Sequence, residues 1–259
     1  MPFVIGERVH VPSLKAGLTV DYPFSMASVT VCEVADRHVK VNLPNGNISE
    51  EIPLSLVRKK LGLLIVQIGD FDSEATLLEP LKKSILQFAR LLLSDDYIRS
   101  YSVRSADEFR YVWGKEHPVT SHIILVGHGD ATSIKFGPAG LVNAQEFIDL
   151  LSTDGGVVEA KQIISLCCKT GSKSFGGNVS GTPNVEAFLG PTTALHGANA
   201  SQFCQSYLTY LFLHGYTSST AYEYARATNP GASDFKFWRK TQAWNPRSPL
   251  KIMRGAADG

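Results

Sequence analysis

Three short, almost wholly apolar runs mark the second part of the chain: Leu63-Leu64-Ile65-Val66-Gln67-Ile68, Ile123-Ile124-Leu125-Val126 and Ile163-Ile164-Ser165-Leu166. A strand that is apolar at consecutive positions has no face to offer water, so it must be covered on both sides. Stretches of helical periodicity separate these runs. The pattern predicts an α/β fold over residues 61–240, with a mostly parallel sheet flanked by helices. Strands are expected at 63–68, near 98–103, at 121–126, 162–166 and 192–195. A helix begins at Pro80, and Leu81, Ile85, Phe88, Ala89 and Leu92 share one of its faces. Further helices read from 105 or 106 to about 115, over 143–151, 200–213 and 218–228, with Gly215 as a stop between the last two. A hairpin excursion is expected over 132–140 and a mobile glycine-rich loop over 172–183.

Residues 1–58 have a different character. Period-two alternation runs through Arg8-Val9-His10-Val11, through Val29–Val34 and through His38–Leu43, and turn signals at Ala35-Asp36-Arg37 and Asn45-Gly46 separate the segments. Residues 48–52 read as a returning strand and 53–57 as a closing turn. Short strands at this spacing curl into a barrel to hide their edges, which predicts a small all-β barrel ahead of the α/β region. The tail, 241–259, is rich in Pro, Arg and Gly and reads as loose.

Composition removes several function classes. Twenty-five Lys and Arg face 24 Asp and Glu, a net charge of +1, which makes nucleic acid an unlikely partner, with Arg58-Lys59-Lys60 as the one local basic cluster. No apolar run approaches the roughly 18 residues of a membrane helix. Glu7 and Arg8 stand where a signal peptide needs apolar residues, so the expected location is the cytoplasm. Cys32, Cys167, Cys168 and Cys204 include no C-x-x-C pair, so neither a disulfide scaffold nor a structural metal is expected, and no cofactor is implied. Nucleophile-elbow, phosphate-loop and H-E-x-x-H motifs are absent from the sequence.

What remains is a pairing at two strand ends. The strand 121–126 leads into Gly127-His128-Gly129, and the strand 162–166 leads into Cys167-Cys168-Lys169-Thr170-Gly171. A right-handed crossover between parallel strands sets both ends on one edge, where ligands bind in open α/β sheets. An imidazole there can take a thiol proton and leave a thiolate to attack a carbonyl. Gly127 and Gly129 allow backbone conformations closed to other residues, and the N–H groups of Gly129 and Cys168 are candidate oxyanion donors. A cysteine at a strand end is commonly just core, and His-Gly recurs at His196-Gly197, readable as a strand-end turn, and at His214-Gly215, readable as a helix end. Only the joint arrangement carries weight. Phe203, Tyr207, Tyr210, Phe212, Tyr222 and Tyr224 read as packing residues. Trp238 and Trp244 read as either groove lining or surface packing.

The stretch Ile123–Gly129 followed by Ile163–Gly171 resembles the caspase-like cysteine peptidases, closest to the CHAT and clostripain branch, whose nucleophile segment reads Ser-Ala-Cys-x-Thr-Gly. Residues 185–227 resemble the same family: an apolar strand, a helix, Gly215 and a Tyr/Ala-rich helix. The first 55 or so residues resemble Tudor-like (SH3-like) barrels. The resemblance implies a cysteine endopeptidase with a His128–Cys168 dyad and a protein substrate. It also implies a possible activating partner and a role in bacterial regulated proteolysis such as antiviral defence. Leu166 replaces the serine or aspartate usual two positions before the nucleophile. Related families place a pocket acid after the first strand, which makes Asp70 and Asp72 candidates to bind a basic substrate side chain; solvated loop acids are the alternative. For the whole chain, the rival reading is a catalytically silent scaffold that binds a partner through its barrel.

Overall fold

A computed structural model describes residues 3–18, 24–70, 72–137, 140–152, 160–229 and 231–245. Near the amino end, β1 (Arg8–Pro12), β2 (Met26–Val34), β3 (His38–Asn42) and β4 (Ile52–Pro53) form an antiparallel sheet in that order. The alternating Val9, Val11, Val29, Val31, Val39 and Val41 fill one core beneath it. An irregularity between Val31 and Glu33 bends β2. The sheet curls far enough for Arg58 to pair with His10 through two main-chain bonds of 2.8 and 2.9 Å, making a half-barrel. The expected returning strand over 48–52 is reduced to β4 and a single bridge from Ile48 to Asn42. The half-barrel is tied to the α/β region by the Ser25 N–H on the Leu92 carbonyl and by Met26, which lies in the larger core.

The second sheet is built from β5 (Leu63–Ile68), β6 (Ile98–Val103), β7 (His122–Gly129), β10 (Lys161–Ser165), β11 (Val185–Pro191), β12 (Phe235–Arg239) and β13 (Gln242–Ala243), with the hairpin β8 (Ser133–Phe136) and β9 (Gly140–Asn143) branching from the end of β7. The strand order is β13-β12-β11-β10-β7-β5-β6; β6, β5, β7, β10 and β11 are parallel, and the last two pairings are antiparallel. Helices α1 (Glu79–Leu92), α4 (Gly197–Leu208) and α5 (Ser218–Thr228) cover one face, and α2 (Ala106–Glu116) and α3 (Ala144–Leu151) cover the other. Local signals set these boundaries. Pro80 sits in the first turn of α1, Ser105 caps α2, and Asn143 with Glu146 forms a capping box on α3. Among the described residues no helix is long and apolar enough to cross a membrane.

Strand parity sorts the core. Ile124, Val126, Ile164 and Leu166 pack under α1, α4 and α5, whereas Ile123, Leu125, Ile163 and Cys167 pack under α2 and α3. The sequence expectation fails in four places. The strand expected at 192–195 lies at Val185–Pro191 instead, where six of the seven residues are buried and Glu186 alone reaches water. The helix expected to reach 213 widens after Leu208 into a π-type turn, Thr209–Leu213. The glycine-rich loop is a packed helical turn at Lys173–Gly177, where a Cβ on Gly176 would stand 2.6 Å from the Phe188 ring. These glycines serve close approach, not mobility. Finally, β12 and β13 carry the sheet into the segment expected to be loose; a turn with Lys240 and Thr241 at φ 50° and 63° joins them. The rest of that tail, from 246, and the tip of the hairpin at 138–139 lie outside the described residues.

Candidate active site

Strand β7 runs three residues further than the sequence suggests, because His128 and Gly129 pair antiparallel with Lys135 and Ile134 of β8. On one side it is flanked by β5 and on the other by β10, the latter in register from Gln162↔His122 to Ser165↔Leu125, and the Leu166 N–H continues the ladder to the Leu125 carbonyl at 2.8 Å. His128 continues the alternation 124-126-128 and lies on the face covered by α1, α4 and α5. Cys168 follows three residues after the end of β10; the same register carried that far would set it opposite His128. Both are half-buried, and the His128 side chain is 35% exposed.

The two adjacent thiols have opposite surroundings. Cys167 faces the other core, is fully buried, and burial pushes its thiol up to about 12, so it stays protonated. Cys168 lies where the chain has left the strand. The Leu195 N–H donates to its sulfur at 3.5 Å. Among the described residues the Cys168 N–H meets no acceptor, while on either side the Cys167 N–H donates to Ser165 Oγ and the Lys169 N–H to the Thr193 carbonyl. Lys169 takes the left-handed conformation, φ 61°, which a lysine adopts only at a cost.

The residues after the cysteine hold that turn in place. Thr170 is fully buried, and its hydroxyl donates to the Cys167 carbonyl at 2.8 Å while meeting Ser165 Oγ at 2.7 Å. The Gly171 N–H donates to the Pro191 carbonyl, its carbonyl accepts from Trp238 Nε1, and a Cβ there would collide with the Gly190 carbonyl oxygen. Gly127 and Gly129 have ordinary backbone angles, contrary to expectation. Side chains are excluded there by crowding, since a Cβ on Gly129 would stand 2.9 Å from Thr170 Cγ2 and 3.1 Å from Cys167 Cβ.

The loop after β5 meets this rim at the crevice between β5 and β7, where the order of strand connection reverses. Asp70 is 7% exposed in its side chain. Its Oδ1 accepts from the Ser73 N–H at 2.9 Å and the Ser73 hydroxyl at 2.8 Å, and its Oδ2 from Lys135 Nζ at 3.0 Å. The Ser73 bonds, with help from Lys135, hold its carboxyl far below the usual carboxylate range. Ser73 Oγ lies 2.6 Å from His128 Nε2. Sequence reasoning missed Ser73; the signal for it was an aspartate three residues before a serine, the spacing at which a side chain closes a turn. Asp72 is exposed on the same loop. Asp130 turns inward on its own loop, accepting from Thr132 and Ser133. His196 caps α4 by accepting from the Ala198 N–H, and Gly215 takes φ 62° at the end of a helical segment. Trp238 is buried, and Trp244, 40% exposed, donates to Glu223.

No family model and no curated protein matches the chain. Among solved structures, a secreted C11 cysteine protease from Bacteroides thetaiotaomicron, in complex with an irreversible peptide inhibitor, aligns with a TM-score of 0.50 at 10% identity, over 70% of this chain and 67% of that one. The likeness is one of fold: a caspase-like arrangement of a mostly parallel sheet between helix layers.

Proposed function

We propose that the protein is a cysteine endopeptidase in which His128 and Cys168 act as a dyad on a protein substrate. One observation supports the reading: the β7–β10 register, carried three residues past Ser165, points an imidazole and a half-buried thiol toward one rim, while the neighbouring thiol is sealed in the opposite core. In the reaction, Cys168 Sγ bonds to the scissile carbonyl carbon as its proton passes to His128. The carbon–nitrogen bond then breaks with that proton delivered to the leaving amine, and water hydrolyses the thioester. The unengaged Cys168 N–H, with that of Gly129, faces the developing oxyanion. The fold shared with a C11 protease supports the assignment.

The substrate reading is a specific partner protein cut after a basic residue, with Asp72 as the exposed acid near the rim. Activation by a second protein and a role in antiviral defence follow the family resemblance. A peptidyl electrophile ending in arginine is the direct test, read by peptide mass. It is expected to label Cys168, to lose that labelling in His128→Ala, and to spare Cys167. Labelling that survives in His128→Ala, or that falls on Cys167, overturns the proposal. Asp72→Ala is expected to weaken labelling by the arginine probe and spare a leucine probe; equal loss of both overturns the basic preference.

A further inference from the structure

We propose that Asp70 and Ser73 form a relay that fixes the His128 ring with its proton on Nε2 and leaves Nδ1 as the basic atom, making Ser73 a positioning residue. The inference rests on the peptidase reading above. The logic is one of counting protons. A hydroxyl has one proton to give, and the Ser73 proton goes to Asp70 Oδ1 at 2.8 Å. Toward His128 Nε2, 2.6 Å away, Ser73 can offer only a lone pair, so Nε2 must carry the hydrogen. In the neutral ring Nδ1 is then bare, and among the described residues it has no hydrogen-bond partner.

The direction of the relay is fixed by charge. Asp70 remains ionised because it accepts two hydrogen bonds from Ser73 and one from Lys135, and an ionised carboxylate only accepts. Asp70 does not reach the ring itself: its Oδ2 is 4.0 Å from Nε2, beyond a hydrogen bond, so the serine is required as the intermediary. Lys135 lies opposite His128 in the β7–β8 register and keeps the carboxylate in place. The loop is anchored from behind, where Arg104 grips Glu74 Oε2 with Nε at 3.0 Å and one terminal nitrogen at 2.8 Å. With both oxygens engaged and its charge met by Lys135, Asp70 works inside the protein and leaves any basic substrate side chain to Asp72. When Nδ1 takes the thiol proton, the ring becomes cationic and the same chain of Ser73 and Asp70 stabilises it.

Two measurements test this on the full chain. The first is ring 15N chemical shifts in the wild-type protein at a pH where His128 is neutral. Nε2 should show the protonated type and Nδ1 the bare type; the reverse assignment overturns the relay, whatever the variants do. The second is the pH dependence of Cys168 alkylation by iodoacetamide, read at that cysteine by peptide mass, in wild type, Ser73→Ala, Ser73→Thr, Asp70→Asn and His128→Ala. Ser73→Ala should slow alkylation near neutral pH by on the order of 10-fold and reshape the profile, as expected for a misplaced catalytic group. Ser73→Thr, which keeps the hydroxyl, should restore it. If His128→Ala alters the profile and Ser73→Ala leaves it at the wild-type shape and rate, the dyad stands and the relay falls. If His128→Ala also leaves it unchanged, the dyad and the relay fall together.

Discussion

Strand β7 carries a histidine at each end, on the same face, and the two ends show what burial does to one side chain. His122 is fully buried at the amino end, its Nδ1 lies 2.8 Å from Ser121 Oγ, its Nε2 meets no hydrogen-bond partner among the described residues, and burial holds it well below the usual histidine range. His128 at the carboxyl end is reached by water and touches Ser73, on a strand whose neighbour β10 leads into Cys168. The residue type is the same, yet only one end can exchange protons with its surroundings. Chemistry in this fold follows from where the chain leaves the sheet.

The largest expected contrast is in rate. His128→Ala should lower peptide cleavage by about 10²–10⁴-fold, the range for a lost general base, whereas His122→Leu should stay within about twofold of wild type in rate, because that ring is buried at the far end of β7 against Phe212 and bonded to Ser121, away from the rim. A comparable loss in both variants would erase the distinction. Next in size is the turn after Cys168. Gly171→Ala forces a Cβ into the Gly190 carbonyl, and overpacking of this kind costs about 1–3 kcal/mol or more in urea unfolding. An unchanged urea midpoint would show that β11 can shift.

The two ends should also separate by pH. The folded His122 stays neutral while the unfolded one binds a proton below about pH 6.5, so this histidine lowers stability as the pH falls through that value. His122→Leu should flatten that limb. Asp70 acts lower down: its depressed folded value adds stability that is complete above about pH 4 and fades as the pH falls further. Asp70→Asn should remove that dependence, as measured by urea unfolding across pH 2–6. The smallest effect is expected at Cys167, where Cys167→Ala should lower stability by about 1 kcal/mol and leave Cys168 labelling intact.

The parts of this architecture that could be read from the chain are those fixed by unbroken apolar runs. Strands β5, β7 and β10 had no soluble face, so their burial and parallel order followed. Strand β11 escaped because Glu186, Gly190 and Pro191 dilute its pattern; Gly190 is there because Gly171 and Thr170 press against it. Strand β12 escaped because Phe235-Lys236-Phe237-Trp238 is a single short alternation beside a polar tail. The His128 and Cys168 pair came from strand ends and a short motif, yet what makes Cys168 the exposed thiol is parity, a property of the register. Ser73 carried no signal of periodicity; its bond to Asp70 is local, but its partner His128 lies on another strand and was set by topology.

The turn bearing Cys168 has a consequence for the order in which the chain matures. Its anchors are Pro191, Thr193, Leu195 and Trp238, all of which leave the ribosome after the cysteine does. A growing polypeptide thus carries Cys168 before it owns the residues that fix the turn around it, and that turn is complete only once β12 is laid against the sheet.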